Sequence, residues 1–156
     1  MNSPTITRLS ATSLQRSVEQ TVRDGRLGTI VSLRVLMSAG DRPIEQLAGW
    51  LTWSETVFGC ETGKVFASTD RGGRQLSVLV SLSSGATLSL TAITYPPASD
   101  TPAHTLQLLL IGQHGIARLQ GGDDIDPTLS PTIDSSSKWM KAIEQSVRSQ
   151  TAVEVV

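Results

Sequence analysis

The sequence predicts an α+β domain that combines a sheet of alternating strands with a few amphipathic helices. Three segments place apolar residues three or four positions apart, which is the spacing of one helix face. Several other segments alternate apolar and small polar residues, so each predicted strand has one apolar face. The turns SLSSGA and IGQHGI are short enough for antiparallel hairpins, and we expect positive φ at Gly85 and Gly115.

The first helix is predicted in LQRSVEQTVRDG, where one stripe contains Leu14, Val18 and Val22 and where Gly25 provides a left-handed cap. A short strand, TITRLS, precedes it. The last helix is predicted in SKWMKAIEQSVRSQ, with Asp134 or a neighbouring serine as its cap. Its apolar stripe contains Trp139, Ile143 and Val147.

The middle helix is predicted in DRPIEQLAGWLTW, where Asp41 can act as the cap and Pro43 suits the first turn. Ile44, Leu47, Trp50 and Leu51 form its apolar face. We expect all three tryptophans, Trp50, Trp53 and Trp139, to anchor the core or an interface.

The remaining strands are predicted in TIVSLRVLMS, RQLSVLVSLSSG, ATLSLTAITY, HTLQLLLIG and GIARLQ, and the tail TAVEVV can add an edge strand. Their apolar faces contain Val31, Leu33, Val35 and Met37; Leu76, Val78, Val80 and Leu82; Ala86, Leu88, Leu90 and Ala92; and Leu106, Leu108 and Leu110. The opposite faces are a mixture of Ser, Thr and aliphatic residues, which is unusual for a solvated sheet surface.

The length of 156 residues fits one domain, residues 1–156. Within it we predict a strand and connecting helix over 5–28 and a sheet over 29–120 with a helix inserted at 41–53. Residues 121–156 are predicted to form a crossover, the closing helix and the tail. The crossover, Gly121 to Ser137, is rich in Gly, Pro, Asp and Ser and is expected to lack regular structure.

The composition excludes several classes of partner. Lys and Arg total 13 against 14 for Asp and Glu, so no basic field favours nucleic acid. The single cysteine, Cys60, has no partner for an internal disulfide and is expected to be a small buried apolar residue. We find neither a signal-peptide pattern nor a membrane-length apolar run, and we expect a cytoplasmic protein.

No complete catalytic or metal motif is present. His104 and His114 fall in predicted loops, and Asp123, Asp124 and Asp126 lack the ligand spacing of a calcium loop. Solvated loops are the favoured interpretation of both groups. Arg71 and Arg74 bracket two glycines in a turn and can form a fork for a carboxylate or phosphate, although turn arginines are usually only solvated.

Five stretches together resemble the second domain of the Gfo/Idh/MocA (glucose-fructose oxidoreductase and inositol dehydrogenase) family. They are TITRLSATSLQRSVEQTVRDGRLGTIVSLRV, IEQLAGWLTWSETVFGCETGKV, LSVLVSLSSGATLSLTAITY, LQLLLIGQHGIARLQ and SSSKWMKAIEQSVRSQTAVEV. The resemblance implies an open, mostly antiparallel sheet of about five to six strands with helices packed on one face. In the family this domain follows a Rossmann domain that binds the dinucleotide.

The resemblance also implies a functional difference. In the family, a D-x-x-x-H pattern before the Trp-Leu pair supplies a catalytic acid and a histidine, and these positions fall on Ala39 and Pro43. Neither residue transfers a proton, and neither a glycine fingerprint nor a Glu-Lys-Pro motif occurs. We therefore expect no catalytic, cofactor-binding or metal-binding residues, no bound cofactor, and no activity of the chain alone.

Three functions follow as hypotheses. The leading one is a non-catalytic binding or assembly module that forms a homodimer through the open sheet face. That interface is predicted to contain Ser77, Leu79, Thr87, Ser89, Thr91 and Ile93. The alternative is one subunit of a split oxidoreductase, completed by a separate Rossmann protein. A third is a small-ligand binder whose cleft is lined by Asp41, Arg42, Glu45 and Tyr95.

Overall fold

A computed structural model describes residues 11–38, 42–94, 106–121 and 133–156. Three helices are present: α1 (Ala11–Arg23), α2 (Pro43–Phe58) and α3 (Ile133–Ser149). The strands are β1 (Ile30–Ser38), β2 (Gly63–Thr69), β3 (Gln75–Leu82), β4 (Thr87–Ile93), β5 (Leu106–Gly112), β6 (Ile116–Gly121) and β7 (Val153–Val155). The α+β prediction is confirmed. The sheet has seven strands among these residues rather than five to six, because both β2 and the short tail strand β7 join it.

The strand order is β6-β5-β1-β4-β3-β2-β7, an open sheet. Five of the six pairings are antiparallel and one, β1 with β4, is parallel. The hairpins predicted at SLSSGA and IGQHGI are both confirmed, as β3 with β4 and β5 with β6, while β1 lies between β4 and β5. The connection from β4 to β5 is not a tight turn, so nothing local forces these two strands to pair.

All three helices pack on one face of the sheet, where the predicted apolar faces of β1, β3, β4 and β5 are buried. Leu33, Val65, Leu88, Leu90 and Leu110 are at most 2% exposed. Val31 is an exception to the predicted pattern. A register irregularity between Ile30 and Ser32 interrupts the alternation, and Val31 is left 40% exposed.

Tryptophan rings and two glutamates join the helices to one another. The buried indole of Trp139 on α3 donates a hydrogen bond to Glu55 Oε1 on α2 at 2.5 Å, and Lys138 pairs with the same carboxylate at 2.7 Å. Trp53 on α2 donates to Glu19 on α1 at 3.1 Å. The prediction that the tryptophans anchor the core is confirmed for Trp50 and Trp139, which are buried, and Trp53 packs against the core half-buried.

Ser146 fixes α3 on the sheet at the edge next to β7. Its fully buried hydroxyl accepts a hydrogen bond from the Ala67 backbone N–H at 2.8 Å and donates one to the Thr151 carbonyl at 2.6 Å. The three-residue strand β7 pairs only with Gly63, Lys64 and Val65. Ser146 therefore satisfies a β2 donor beyond the end of β7.

The helix ends differ in detail from the sequence predictions. Gly25 has the expected positive φ of 68° just after α1. In α2, Pro43 is in the first turn, but the N-cap residue is Arg42, with no side-chain cap hydrogen bond, rather than Asp41. The structure describes neither the side chain of Leu14 nor any part of Asp41. The closing helix begins at Ile133, so Asp134 lies inside its first turn and not at the cap.

The two predicted turn glycines also differ. Gly85 has a φ of 97°, as expected. Gly115 does not have positive φ, so the prediction is wrong there. Its turn instead contacts the loop after α1. The His114 N–H donates to the Leu27 carbonyl at 2.9 Å, which holds the turn against the loop after α1, and a Cβ on Gly115 would lie 3.3 Å from Leu27 Cδ2.

Two further sequence predictions fall partly or wholly outside the described residues. The predicted strand over Thr5–Ser10 lies outside them, as do residues 122–132 of the predicted crossover. The remainder of that crossover is regular: Gly121 ends β6, and Ile133 to Ser137 belong to α3. No helix within the described parts of the chain is long and apolar enough to cross a membrane.

Candidate functional site on the uncovered sheet face

No helix among the described residues covers the second face of the sheet. All six residues predicted as a dimer interface, which lie on β3 and β4, project from this face, since their neighbours along each strand form the buried core. We call this surface the open face.

The strand register arranges the open face in rows that run across the sheet. One row contains Ile116, Ile111, Ser32, Thr87, Ser81 and Lys64. The next contains Arg118, Leu109, Arg34, Ser89, Leu79 and Phe66. A third contains Gln120, Gln107, Leu36, Thr91, Ser77 and Ser68. Cross-strand neighbours in a row are close enough for their side chains to interact.

Large apolar side chains lie exposed on this face. Leu79 is 53%, Phe66 40% and Leu36 38% exposed, and Phe66 and Leu79 are direct cross-strand partners. Exposed apolar residues that occur singly are ordinary on a protein surface, whereas a contiguous patch usually marks an interaction site. Phe66 and Leu79 therefore form such a patch, on the half of the open face towards β7.

Charged side chains are few on the open face. Lys64 on β2 lies 3.7 Å from Glu154 on β7, an exposed pair that contributes little to stability. Arg34 on β1 and Arg118 on β6 make no ion pair within the described part of the chain. The described face therefore carries three cations and one anion.

Two concavities lie side by side on the open face and share Arg34 and Ser89. One, about 360 Å³, lies over β1, β5 and β6, with Arg34 and Arg118 among its lining residues. The other, about 580 Å³, lies over β2, β3 and β4, with Phe66 and Leu79 among its lining residues. We call the first the arginine groove and the second the apolar groove. The arginine groove therefore presents positive charge, and the apolar groove presents apolar side chains, on the same surface.

The predicted ligand cleft is only partly described. Arg42 and Glu45 form an exposed ion pair at 3.4 Å across the first turn of α2, while Asp41 and Tyr95 lie outside the described residues. Pro43, at one of the two catalytic positions implied by the family resemblance, begins α2, and Ala39, at the other, is not described. The two described cleft residues neutralise each other on the protein surface.

Cys60 differs from the sequence prediction, since it is half-buried rather than buried and its Sγ lies 3.3 Å from the Thr62 carbonyl. Hydrogen bonding with the Thr62 backbone is the main cause that lowers the pKa of the Cys60 thiol, and desolvation opposes it. His114 is exposed in the β5–β6 turn, and His104 lies outside the described residues. The described residues bring no nucleophile and base together.

The remaining candidates are surface turns or fall outside the described residues. Arg71 and Arg74 are exposed in the β2–β3 turn, where Asp70 Oδ1 accepts the backbone N–H of Arg74 at 2.8 Å. That carboxylate stabilises the turn. Asp123, Asp124 and Asp126 are not described, and no group of three metal-binding side chains occurs in the described ranges.

Sequence reasoning did not identify Arg34, Phe66 and Arg118 as parts of the open face. The alternation of β1 alone indicates that Arg34 points away from the core, because Leu33 and Val35 point into it. That Arg34 and Arg118 belong to one row depends on the pairing of both β1 and β6 with β5. Such pairing has no local signal in the sequence.

Comparison with known proteins gives a fold but no close relative. No family model and no curated protein matches the sequence. Solved structures do match: scyllo-inositol dehydrogenase from Lactobacillus casei, determined with bound NAD(H) and scyllo-inositol, is 14% identical with a TM-score of 0.65. Myo-inositol 2-dehydrogenase from Lactobacillus plantarum is 11% identical with a TM-score of 0.65, and myo-inositol dehydrogenase from Corynebacterium glutamicum is 10% identical with a TM-score of 0.65.

These alignments cover 90 to 91% of this chain but only 61% of each dehydrogenase. The chain therefore spans about three fifths of the length of the proteins that it matches. The likeness confirms the fold expected from the Gfo/Idh/MocA resemblance.

Proposed function

We propose that this domain, whose fold is that found within inositol dehydrogenases, is a non-catalytic assembly module that forms a homodimer through the open face. One observation carries the proposal: the cross-strand pair of Phe66 and Leu79 exposes contiguous apolar surface on a sheet face that no described helix covers. Burial of such a patch against a second copy removes it from water.

The area of the face sets the expected strength of the dimer. Seven strands spaced about 4.8 Å apart and about 20 Å long give a face of roughly 600 Å². Two copies would bury roughly 1,200 Å² in total, near the lower limit for specific, stable interfaces. The dimer is therefore expected to dissociate measurably on dilution.

The test replaces the most exposed leucine of the patch. Leu79→Lys places an unpaired charge where the interface would bury it, which costs several kcal/mol and should leave a monomer at tens of micromolar. Gln145→Lys is the control, because it adds the same charge at an exposed position of α3, on the helix side of the sheet. Sedimentation velocity measures both variants beside the wild type.

A wild-type dimer that Gln145→Lys preserves and Leu79→Lys dissociates supports the proposal. A Leu79→Lys protein that stays as dimeric as the wild type would place the interface elsewhere. Circular dichroism of the variant confirms that the change acts on association and not on folding. Leu79 already contacts solvent, so no core packing is lost in the isolated chain.

The split oxidoreductase is the second candidate, and the coverage of the matched dehydrogenases favours it. The matched length is only about three fifths of a protein that, in one case, holds NAD(H). In this second candidate, a separate protein binds the dinucleotide. We expect that NADH fluorescence does not change when the chain alone is added.

The decisive arm mixes the chain with a purified dinucleotide-binding protein encoded in the same genome. Dehydrogenase activity that requires both proteins supports the split enzyme. Activity that is the same with and without this chain rejects that pairing and leaves the assembly role.

A further inference from the structure

The arginine groove contains two arginines of the open face that make no ion pair within the described part of the chain. Arg34 on β1 and Arg118 on β6 lie in one row, with Leu109 of β5 between them. Two strand spacings separate their backbones by about 10 Å, a distance that two arginine side chains can span from opposite sides. The concavity of about 360 Å³ between them has space for a small organic molecule.

The lining of the groove has the charge balance of an anion site. Among the described residues that line it, Arg34 and Arg118 are the charged ones. The polar side chains that complete the lining are uncharged: Ser89, Thr91, Gln107 and Gln120. No carboxylate is among the described lining residues, so within that part of the chain both guanidinium groups can donate to an external acceptor.

The guanidinium geometry indicates the class of ligand. Each guanidinium presents a planar fork that matches a carboxylate or phosphate with two parallel hydrogen bonds. Two forks facing one concavity complement a molecule with two anionic groups. The floor between them, formed by Leu109, suits a short apolar linker between those groups.

We propose that the arginine groove binds a small organic dianion through Arg34 and Arg118, one anionic group at each guanidinium. This site differs from the predicted cleft at Arg42 and Glu45, whose charges pair with each other. Ser89 and Thr91, two of the predicted interface residues, also line the groove, so a dimer through the whole open face would cover it, and the site is tested on the monomeric chain.

Isothermal titration calorimetry with two probes at constant ionic strength tests the site. Succinate represents a dicarboxylate and pyrophosphate a doubly phosphorylated ligand, while succinamide has the shape of succinate without its charge. We expect one of the two anions to bind and succinamide to give no heat of binding. The anion that binds more tightly identifies which acidic group the groove prefers.

Substitutions locate the binding. Arg34→Gln and Arg118→Gln should each weaken the preferred anion about tenfold or more, because each removes charge-assisted hydrogen bonds. Arg34→Lys keeps the charge but loses the fork and should fall between the wild type and Arg34→Gln. Lys141→Gln, a loss of charge on the helix side of the molecule, serves as control and should leave the affinity unchanged.

Several results would overturn the proposal. They are no heat with either anion at millimolar concentration, equal binding by succinamide, or anion affinities that neither arginine substitution changes. Leu79→Lys separates this proposal from the dimer, since the monomeric variant should still bind the anion. A monomeric wild type that binds succinate would reject the assembly proposal alone.

Discussion

The two faces of the sheet come from the same strands but follow different rules. On the covered face nearly every position is aliphatic and buried, as with Leu88 and Leu90 on β4. On the open face the alternate positions of that strand are Ser89 and Thr91, and exposed apolar side chains lie on other strands, including Leu79 and Ile116. The covered face stabilises the fold by packing against the helices, whereas the open face is exposed and is the surface that we propose as an interface.

Matched leucine truncations should show the largest difference between the faces. Leu90→Ala on the covered face should reduce the free energy of unfolding by about 2–5 kcal/mol, because it leaves a cavity in the core. Leu79→Ala on the open face should cost less than about 1 kcal/mol in the monomer. Urea denaturation at low protein concentration measures both, and equal losses would contradict the assignment of the faces.

The next effect concerns the buried hydroxyl that joins α3 to β2. Ser146→Ala leaves the Ala67 N–H and the Thr151 carbonyl without that partner, and the free energy of unfolding should fall by about 1–3 kcal/mol. Ser149→Ala is the control on the same helix, because its hydroxyl contacts Thr151 Oγ1 at the surface. Similar losses in both variants would show that burial of Ser146 does not matter.

The smallest effect tests the charge of the open face. Two copies paired through this face bring together surfaces that each carry a described excess of cations. Added NaCl should therefore strengthen the dimer by screening their repulsion. The double variant Arg34→Gln, Arg118→Gln should lose most of this dependence. Sedimentation at several salt concentrations gives the trend, and a wild-type dimer that salt weakens would argue against pairing of like-charged faces.

The sequence was sufficient to predict features that depend on local pattern. The buried faces of β3, β4 and β5 follow directly from period-two alternation, and the stripe of α3 follows from helical spacing. The six predicted interface residues project from one face for the same reason. Alternation along a strand determines which side chains share a face without knowledge of the strand order.

Features that depend on long-range pairing could not be predicted in this way. The position of β1 between β4 and β5, and the row that joins Arg34 to Arg118, require a register set by residues far apart in the sequence. The failed prediction at Gly115 has a similar cause, since contact with Leu27 rather than a local turn type determines its backbone. The predicted cleft was placed by the family resemblance. Its two described residues, Arg42 and Glu45, pair with each other on the surface and do not line a cleft together.

The most direct test of the assembly proposal is the mass of the wild-type chain in solution across a concentration series. Sedimentation equilibrium from low to high micromolar concentration should give a mass that rises from 16.6 kDa towards twice that value. A mass of 16.6 kDa at every concentration would contradict the claim that the open face pairs with a second copy of this chain.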